Sequence, residues 1–408
     1  MNQTTSHNRP PRLALTAYML NMGGVSNFIL ELGKFLQAKG YEVSIICTDR
    51  KGDWYDRIRK EGLKGMAFSS RFYEWIPFGR ILHARRIGRY MKRCAFDHVI
   101  NNHSFYIHAA AGYFYGRSRI LHVIHNQLEH MVERECDPLS DKVVGVSPRI
   151  EQLARKHVPA GMATSILNGI TLPEKVQAET DAGACSERPQ DILYVGRMDN
   201  RQKAVFLIPE IMEYLYTLGV RTSITMIGDG PDFGELNRRV EHGSMNGSIH
   251  LVGKVAPEEV GAYYRSHKIL LLPSNFEGHP LTLMEAMAHG CVPVSSLLPK
   301  STDTCVEQGV SGYLIKVGYV KGFGKAVLDL LTNGELLDRM SKTAEETARE
   351  EFSNTKTHEK YLEILESFEG GEIRRDKHPA LNRKYMSWKE LVPFQLVMLV
   401  KRRIVNWI

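Results

Sequence analysis

The stretch that decides the fold runs from residue 275 to residue 294 and reads NFEGHPLTLMEAMAHGCVPV. Pro280 suits the first position of a helix, where its missing N–H group costs nothing, and Gly290 suits the left-handed residue that ends one. The stretch therefore predicts a helix that leads into the strand-like segment CVPVSS. Glu277 precedes this helix and Glu285 lies about one turn inside it, so we expect both carboxylates to face one cleft.

The predicted start of this helix can bind an anion through its backbone. The first backbone N–H groups of a helix have no partner within it, so those near residues 281–283 form an anion site suited to a diphosphate. Glu285 has the wrong charge to bind phosphate, but its carboxylate suits the hydroxyl pair of a ribose. The segment therefore points to a nucleotide site.

Short β-branched runs alternate with helical patterns along the whole chain. The first half contains RLALTAYM, YEVSIICT, FDHVINNH, RILHVIHN, KVVGVS and TSILNG, with a helical pattern over residues 27–38. After a polar stretch at about residues 174–190 the alternation restarts with DILYVGR, SITMIGDG, SIHLVGKV and KILLLPS. Such alternation predicts parallel sheets covered on both faces by helices. The 408 residues are too many for one ordinary core, so we predict two domains with the polar stretch as linker.

Several of these segments, in this order, resemble a known family. The spacing of Glu277 and Glu285 resembles the E-x7-E signature of the family-4 retaining glycosyltransferases, which have the two-domain GT-B fold. YVGRMDNRQK resembles the family's strand followed by an arginine and a lysine, here Arg197 and Lys203. MIGDGP, HLVGKV and CVEQGVSGYLI match later landmarks, NMGGVSNFILELGKFLQAKGYEVSII resembles the first loop, helix and second strand, and ILHVIHN carries the family's cleft histidine as His125.

The resemblance implies an α/β fold of the GT-B type, with two Rossmann-like domains whose parallel sheets face each other across a cleft. Residues 1–177 would form the acceptor-binding domain and residues 186–350 the nucleotide-sugar-binding domain. Residues 351–370 would form a helix that crosses back to the first domain, and residues 371–408 a basic and apolar extension.

The resemblance also implies the residues of the site. The bond from the sugar to the diphosphate breaks as charge builds on the leaving phosphate, so fixed cations are the main requirement. Arg197 and Lys203 would supply these cations, Glu277 would face the hydroxyls of the donor sugar, and His125 would meet that sugar from the opposite wall. The expected donor-binding residues are Gly23, Gly24, Gly278, His279, Pro280, Leu281, Thr282, Glu285, Lys254 and Val255. Taken singly, Arg197 and Lys203 are also compatible with surface ion pairs, and His125 with a core histidine.

Neither a cofactor nor a metal ion is expected. The chain has no D-x-D, no H-E-x-x-H and no Walker-type phosphate loop, and its six cysteines include no C-x-x-C pair. We expect a UDP-sugar rather than a GDP-sugar as donor. His103, at the end of another strand, either lines the acceptor pocket or is a structural histidine.

The net charge of +7 conceals an asymmetry along the chain. Residues 1–180 carry a balance of +9, residues 181–370 a balance of −8 and residues 371–408 a balance of +6. This pattern favours an anionic partner that touches only part of the molecule, and a membrane surface fits better than nucleic acid because cations interleave with bulky apolar residues in two segments.

The first of these segments is residues 71–93, RFYEWIPFGRILHARRIGRYMKR, and the second is the tail at residues 384–408. The apolar members of the first segment are Trp75, Phe78, Ile81, Leu82, Ile87 and Tyr90. Both segments are expected to lie in the membrane interface. The alternatives are a surface helix that buries one face on its own domain and a tail that docks on the body or on a partner subunit.

The opening MNQTTSHNRPPRLAL lacks the apolar core of a signal peptide, and no apolar run approaches the roughly 20 residues of a spanning helix. We therefore expect a cytoplasmic protein, peripheral on the inner face of the plasma membrane. The leading hypothesis is a retaining transferase that moves a sugar from a nucleoside diphosphate to a lipid-linked or cell-surface polysaccharide acceptor of the lipopolysaccharide or capsule type. The alternatives are a GT-B transferase for a soluble acceptor and a catalytically silent nucleotide-sugar-binding membrane scaffold.

Overall fold

The structure is a computed structural model that describes residues 9–137, 139–173, 184–244 and 247–368. Its contacts divide the chain into two units, each built around its own parallel sheet. The chain passes from the first unit to the second between residues 166 and 167 and returns between residues 357 and 358. Residues 147–149 also group with the second unit.

The first unit contains a seven-stranded parallel sheet in the order β3-β2-β1-β4-β5-β6-β7. Its strands are β1 (Arg12–Ala17), β2 (Glu42–Cys47), β3 (Lys64–Ala67), β4 (His98–Asn102), β5 (Arg119–Ile124), β6 (Lys142–Gly145) and β7 (Ala163–Ser165). Six of them lie in the predicted runs, and their side chains are mostly buried on both faces, as expected for a parallel sheet covered by helices. The edge strand β3 was not predicted, because its sequence KGMA has no β-branched residue.

Helices cover this sheet. They are α1 (Gly24–Ala38), α2 (Arg57–Lys60), α3 (Gly79–Cys94), α4 (Phe105–Ala110), α5 (Glu129–Glu135) and α6 (Pro148–Ala154). The predicted helix over residues 27–38 is confirmed as α1, which buries Phe28, Ile29, Leu32 and Leu36 at helical spacing. The helix packs closely on the sheet at Gly33, where an added Cβ would lie 3.2 Å from Leu15.

The second unit contains a six-stranded parallel sheet in the order β10-β9-β8-β11-β12-β13. Its strands are β8 (Gln190–Val195), β9 (Ile224–Ile227), β10 (Ile249–Gly253), β11 (His267–Leu272), β12 (Val292–Ser296) and β13 (Tyr313–Ile315). Its helices are α7 (Asn200–Lys203), α8 (Leu207–Thr217), α9 (Phe233–His242), α10 (Pro257–Ser266), α11 (Leu281–Ala288), α12 (Val320–Thr332) and α13 (Gly334–Glu351), and α14 (Asn354–Ser367) follows.

The order of strands in the second sheet places its functional loops. The chain winds outward from β8 through β9 to β10 and then starts again at β11 on the other side of β8. Ligands of open parallel sheets bind beyond the carboxyl ends of the strands at such a reversal. The loops after β8 and β11 therefore meet at the position where a ligand is expected.

Two further features concern the cysteines and the lengths of the helices. None of the six cysteines, all of which lie in the described ranges, forms a disulfide, and five of them are buried. Among the helices of the described residues, none is both long enough and apolar enough to cross a membrane. The predicted tail segment at residues 384–408 lies outside the described residues.

Candidate functional site

The loop after β8 is fixed by the loop after β9. The amide of Gly196 donates to the carbonyl of Ile227 (3.0 Å) and the amide of Met198 to the carbonyl of Asp229 (3.0 Å). Gly228 has φ +134°, and a Cβ added there would lie 1.9 Å from the carbonyl oxygen of Gly196. Only glycine permits this approach of two backbones, so the loop that carries the first predicted cation has a fixed position.

Lys203 and Glu277 form an ion pair at the reversal of strand order. The Lys203 ammonium lies 2.6 Å from Glu277 Oε1, and the two side chains are only 12% and 6% exposed. Ser274 Oγ donates to the same carboxylate oxygen (2.6 Å). The two loops are further joined by the amide of Asn275, which donates to the carbonyl of Gln202 (2.8 Å). The sequence placed these two charges in one site, but it gave no sign that they contact each other.

Arg197 has a different environment. Its side chain is exposed, and within the described residues it has neither a hydrogen bond nor an ion pair to a side chain. Its carbonyl accepts a hydrogen bond from the hydroxyl of the buried Tyr194 (2.9 Å), which anchors the backbone beneath the guanidinium. The site therefore contains one neutralised cation, Lys203, and one cation, Arg197, whose charge faces solvent.

The helix start predicted beside Glu277 is present, shifted by one residue. Pro280 has φ −78° and ψ 104° and precedes α11 as its N-cap, so it is not the first helical residue as predicted. The amide of Leu283 donates to the carbonyl of Pro280 (3.2 Å), so this N–H does not belong to the anion site. Within the described part of the chain, the amides of Leu281 and Thr282 have no such partner and remain as donors. The buried hydroxyl of Thr282 also lacks a hydrogen-bond partner there.

Ser301 holds the loop before this helix. Its hydroxyl lies 2.9 Å from the carbonyl oxygen of Glu277 and 3.2 Å from that of Gly278. These contacts fix the backbone of the loop and so hold the Glu277 side chain in position to pair with Lys203. Sequence reasoning missed Ser301 and Ser274, because single serines in loops have no distinctive pattern.

Glu285 is half-buried in α11, one turn beyond the start. The hydroxyl of the fully buried Tyr264 donates to its Oε2 (3.1 Å), whereas its Oε1 accepts no hydrogen bond from the described residues. Burial raises the pKa of Glu285, and the hydrogen bond from Tyr264 partly offsets this. The remaining oxygen suits the predicted contact with a ribose hydroxyl.

The side chain of His279 faces Cys305 in the interior of the second unit. It is buried, and its Nε2 lies 3.2 Å from the sulfur of Cys305. Burial lowers the pKa of His279 to about 4, so the ring is neutral near pH 7. The predicted contacts of Gly278 and His279 with sugar and phosphate therefore concern their backbone atoms, and they stay a prediction.

Lys254 and Val255 follow β10, which β9 separates from the loop of Arg197. The Lys254 side chain is 61% exposed and lies 3.5 Å from the carboxylate of Asp229. Val255 is half-buried and packs against the core. Their predicted contact with the nucleotide stays a prediction.

The first unit contains the remaining predicted residues at the carboxyl ends of its strands. Gly23, with φ +154°, is the N-cap of α1, and Gly24 is its first residue. His125 follows β5; its Nε2 lies 3.0 Å from Asn102 Oδ1, and its ring packs edge-on against Phe28 of α1. Burial is the main reason that the pKa of His125 lies well below its usual value, so the ring acts as a neutral hydrogen-bonding group.

His103 is bound more tightly than sequence reasoning suggested. Its Nδ1 lies 2.5 Å from a carboxylate oxygen of Glu135, and its Nε2 accepts a hydrogen bond from the amide of His125 (3.3 Å). These partners require the proton on Nδ1. The backbone of His103 is left-handed, with φ +56°, which is uncommon for a residue other than glycine and is often found at functional sites.

A second cluster, which the sequence did not indicate, lies in the core of the same unit. Ligand atoms of His108, His122 and Asp137, all buried, lie within 4.8 Å of one another. Asn101 donates from Nδ2 to His122 Nδ1 (3.2 Å), and its own orientation is fixed because its Oδ1 accepts from the amide of Ser104. His122 therefore carries its proton on Nε2, which leaves neither ring nitrogen suited to bind a metal ion.

Comparison with known proteins identifies the family of the chain. Residues 22–173 match the family model Glycosyltransferase Family 4, and residues 177–347 match the model Glycosyl transferases group 1. The alpha-monoglucosyldiacylglycerol synthase of Acholeplasma laidlawii is 23% identical over 376 residues, which cover 81% of this chain and 90% of that protein. The lipopolysaccharide 1,6-galactosyltransferase of Salmonella typhimurium is 26% identical over 203 residues, 49% of this chain and 55% of the relative. The chain thus spans about half the length of this second relative.

Solved structures share the fold. Anabaena HepE, crystallised with UDP and glucose, superimposes with a TM-score of 0.74 at 13% identity over 88% of this chain and all of that one. The lipopolysaccharide outer core galactosyltransferase WaaB superimposes with a TM-score of 0.66 at 19% identity, over 87% of this chain and 99% of that one. The two family models match almost the whole of both sheets, and the sheets are parallel and Rossmann-like. The chain therefore belongs to the family-4 glycosyltransferases with the GT-B fold.

Proposed function

We propose that the chain transfers a sugar, with retention of anomeric configuration and without a metal ion, from a nucleoside-diphosphate sugar to a lipid-linked or cell-surface polysaccharide acceptor. The observation that carries the proposal is the buried pair of Lys203 and Glu277 beside the exposed Arg197, at the reversal of strand order. A UDP-sugar is the favoured donor, because the structures of HepE contain UDP or UDP-glucose.

The proposed chemistry has one leaving group and one nucleophile. The bond between the anomeric carbon and the diphosphate oxygen breaks, and a bond from the acceptor oxygen to that carbon forms on the same face. The acceptor's proton passes to the leaving phosphate, so a nucleoside diphosphate and a glycoside result. Negative charge grows on the phosphate during this step, and preorganised cations and N–H groups stabilise it.

The residues of the site stabilise the charge on the diphosphate in different ways, according to their environments. Arg197 meets the diphosphate with its full charge, whereas Lys203 shares its charge between the diphosphate and Glu277. The amides of Leu281 and Thr282 add donors at the positive end of α11. Charge on the diphosphate is thus met without a divalent cation, which is the basis for proposing metal independence.

Glu277 is not suited to act as the nucleophile of a double displacement. Its Oε1 already accepts hydrogen bonds from Lys203 (2.6 Å) and from Ser274 (2.6 Å), so both lone pairs of this oxygen are occupied. Its other oxygen is suited to bind a hydroxyl of the donor sugar. Retention therefore requires a route in which the acceptor attacks on the face that the phosphate leaves.

The proposed acceptor class follows from the relatives. One is named for a glycolipid, monoglucosyldiacylglycerol, and another for lipopolysaccharide. The basic first half of the chain suits an acceptor held at an anionic membrane, and we propose the inner face of the plasma membrane as the place of action. Transfer to a soluble acceptor is the second candidate.

The test is a screen of UDP- and GDP-sugars, first by thermal shift and then by release of nucleoside diphosphate with and without glycolipid acceptors. A donor at 100 times its dissociation constant adds about 2.7 kcal/mol of stability. Lys203→Ala should lower kcat about a hundredfold or more in a protein that stays folded. Tight donor binding without turnover on any acceptor would instead identify the silent scaffold, and a near-normal kcat in Lys203→Ala would refute the site.

A further inference from the structure

One surface of the first unit presents large apolar side chains to solvent. Phe72 is 70% exposed and Trp75 is 66% exposed, the highest values for large apolar side chains in the described residues. Phe78 (49%) and Leu82 (39%) follow within one short segment. Exposed apolar residues that occur singly are ordinary, but four within eleven positions form a patch that marks an interaction site.

The local backbone groups these four side chains into two neighbouring pairs along the segment. A 3₁₀ turn at Tyr73–Trp75, in which the amide of Trp75 donates to the carbonyl of Phe72, brings residues three apart onto one edge. The amide of Leu82 donates to the carbonyl of Phe78 (3.0 Å), so these two lie one helical turn apart on one face of α3. We call Phe72, Trp75, Phe78 and Leu82 the apolar ridge.

The backbone at Phe78 is held in a costly conformation. Phe78 has φ +58°, in the left-handed region that bulky residues rarely adopt. The following Gly79 cannot be replaced without a shift, since an added Cβ would lie 1.7 Å from the carbonyl oxygen of Tyr73. Backbone conformation alone would favour glycine or asparagine at position 78, so the presence of an exposed aromatic ring there is consistent with a functional role.

Basic side chains lie on the same exposed face of α3 as Leu82, further along the helix. The exposed residues beyond Leu82 are Arg85, Arg86, Arg89, Lys92 and Arg93, and Arg71 precedes the ridge. The opposite face buries His83, Ala84, Ile87, Gly88 and Met91. Glu74, the only acid in this segment, is buried against Ser70 and Arg50. The solvent side of the segment is therefore basic and apolar without an acidic side chain.

This arrangement corrects one part of the sequence-based expectation. Ile87, which was expected to insert into a membrane, is fully buried in the core of its own unit, and Ile81 and Tyr90 are half-buried. The alternative of a helix that buries one face on its own domain is therefore right for α3 itself. The apolar side chains that are exposed on this surface belong instead to the residues just before α3 and to its first turn.

We infer that the apolar ridge inserts into the headgroup region of an anionic bilayer while the cations of α3 contact lipid phosphates. The inference rests on the proposed membrane-linked function and names the side chains that make the contact. A second copy of the chain fits less well, because a two-fold interface would bring the same cations against each other. An interfacial position explains why aromatic residues and arginines occur together here.

The experiment uses the full chain and two kinds of vesicle, phosphatidylglycerol mixed with phosphatidylcholine and phosphatidylcholine alone. A ridge variant combines Phe72→Ser, Trp75→Ser and Phe78→Asn. Its matched control combines Leu218→Ser, Val252→Ser and Val310→Ser, which remove three exposed apolar side chains of the second unit (41–43% exposed). A charge variant combines Arg85→Glu and Arg89→Glu, and a tail variant combines Lys401→Glu, Arg402→Glu and Arg403→Glu.

We expect the wild type and the control to bind the anionic vesicles alike, and the ridge variant to bind about tenfold or more weakly. Each cation near an anionic surface contributes about 1 kcal/mol, or about fivefold in affinity, so the charge variant should lose at least about 25-fold and the loss should shrink in high salt. In a chain whose only tryptophan is Trp75, nitroxide on the lipid acyl chains should quench its fluorescence.

Three results would overturn the inference. The first is equal vesicle binding by the ridge variant and the control. The second is binding that only the tail variant loses. The third is light scattering in which the ridge variant converts a dimer to a monomer without a change in vesicle binding, which would assign the surface to self-association. Donor hydrolysis without acceptor, measured without vesicles, should be the same in the ridge variant and the wild type, so failure of this inference is distinguished from failure of the proposed chemistry.

Discussion

Removal of the Lys203 charge should destabilise the second unit as well as slow the reaction. In Lys203→Met the Glu277 carboxylate would remain 6% exposed with Ser274 as its remaining side-chain donor. Loss of one partner from a buried ion pair costs about 3–5 kcal/mol, because the other charge stays buried without compensation. For a unit of this size each kcal/mol corresponds to about 2–4 °C, so the melting temperature should fall by about 6–20 °C.

The double variant Lys203→Met/Glu277→Gln separates this effect from catalysis. Its carboxamide carries no charge and still accepts from Ser274, so most of the lost stability should return while activity stays low. Lys254→Met is the matched control, because its pair with Asp229 is exposed and long (3.5 Å) and should contribute less than about 1 kcal/mol. Thermal and urea unfolding of the four proteins gives the comparison. A Lys203→Met protein that melts with the wild type, or a double variant that melts as low as the single one, would refute the reasoning.

Glu285→Gln should weaken donor binding by about 1–3 kcal/mol in calorimetry with little change in kcat, and unchanged affinity would show that the carboxylate is not on the ribose. Because burial raises the pKa of Glu285, donor affinity of the wild type should also fall as the pH drops toward that raised value, and this fall should be absent in the variant. Activity should persist in EDTA; activity that disappears there and returns with manganese or magnesium would contradict the proposed metal independence. Burial lowers the pKa values of His98, His279 and His358 to about 4, so the folded state resists their protonation. The contribution of these three rings to the free energy of unfolding should therefore be constant above about pH 6.5 and fall between about pH 6.5 and pH 4. A urea midpoint that stays level between about pH 6.5 and pH 4 would show that the buried rings are not the groups that titrate.

The strands could be predicted because a buried parallel strand needs an apolar, β-branched run, and such runs are visible in the letters. Strand β3 was not predicted, because an edge strand needs only backbone hydrogen bonds, which the sequence KGMA can form. The start of α11 was predicted at Pro280, one residue before its actual start at Leu281. Proline tolerates both the N-cap and the first helical position, and the local sequence does not distinguish them.

The contacts within the site were harder to predict than its members. Lys203 and Glu277 belong to loops after β8 and β11, which are neighbours only because the sheet reverses its order there. Periodicity gives the elements but not their order in a sheet, so the ion pair was not foreseen. The contact of His103 with Glu135 was not foreseen either, because it depends on how the elements are placed around the sheet. At Ile87 the helical pattern was visible, but the direction of its apolar face was not.

The glycine contact between the loops at residues 196–199 and 228–232 has a consequence for protein engineering. A Cβ added at Gly228 or Gly230 would lie within 2.3 Å of a carbonyl oxygen of the facing loop, so the backbone paths of the two loops depend on each other. A chimaera that takes only the Arg197 loop from a relative with another donor would inherit a backbone that no longer fits its neighbour. Donor preference should therefore be transferred by grafting both segments as one cassette.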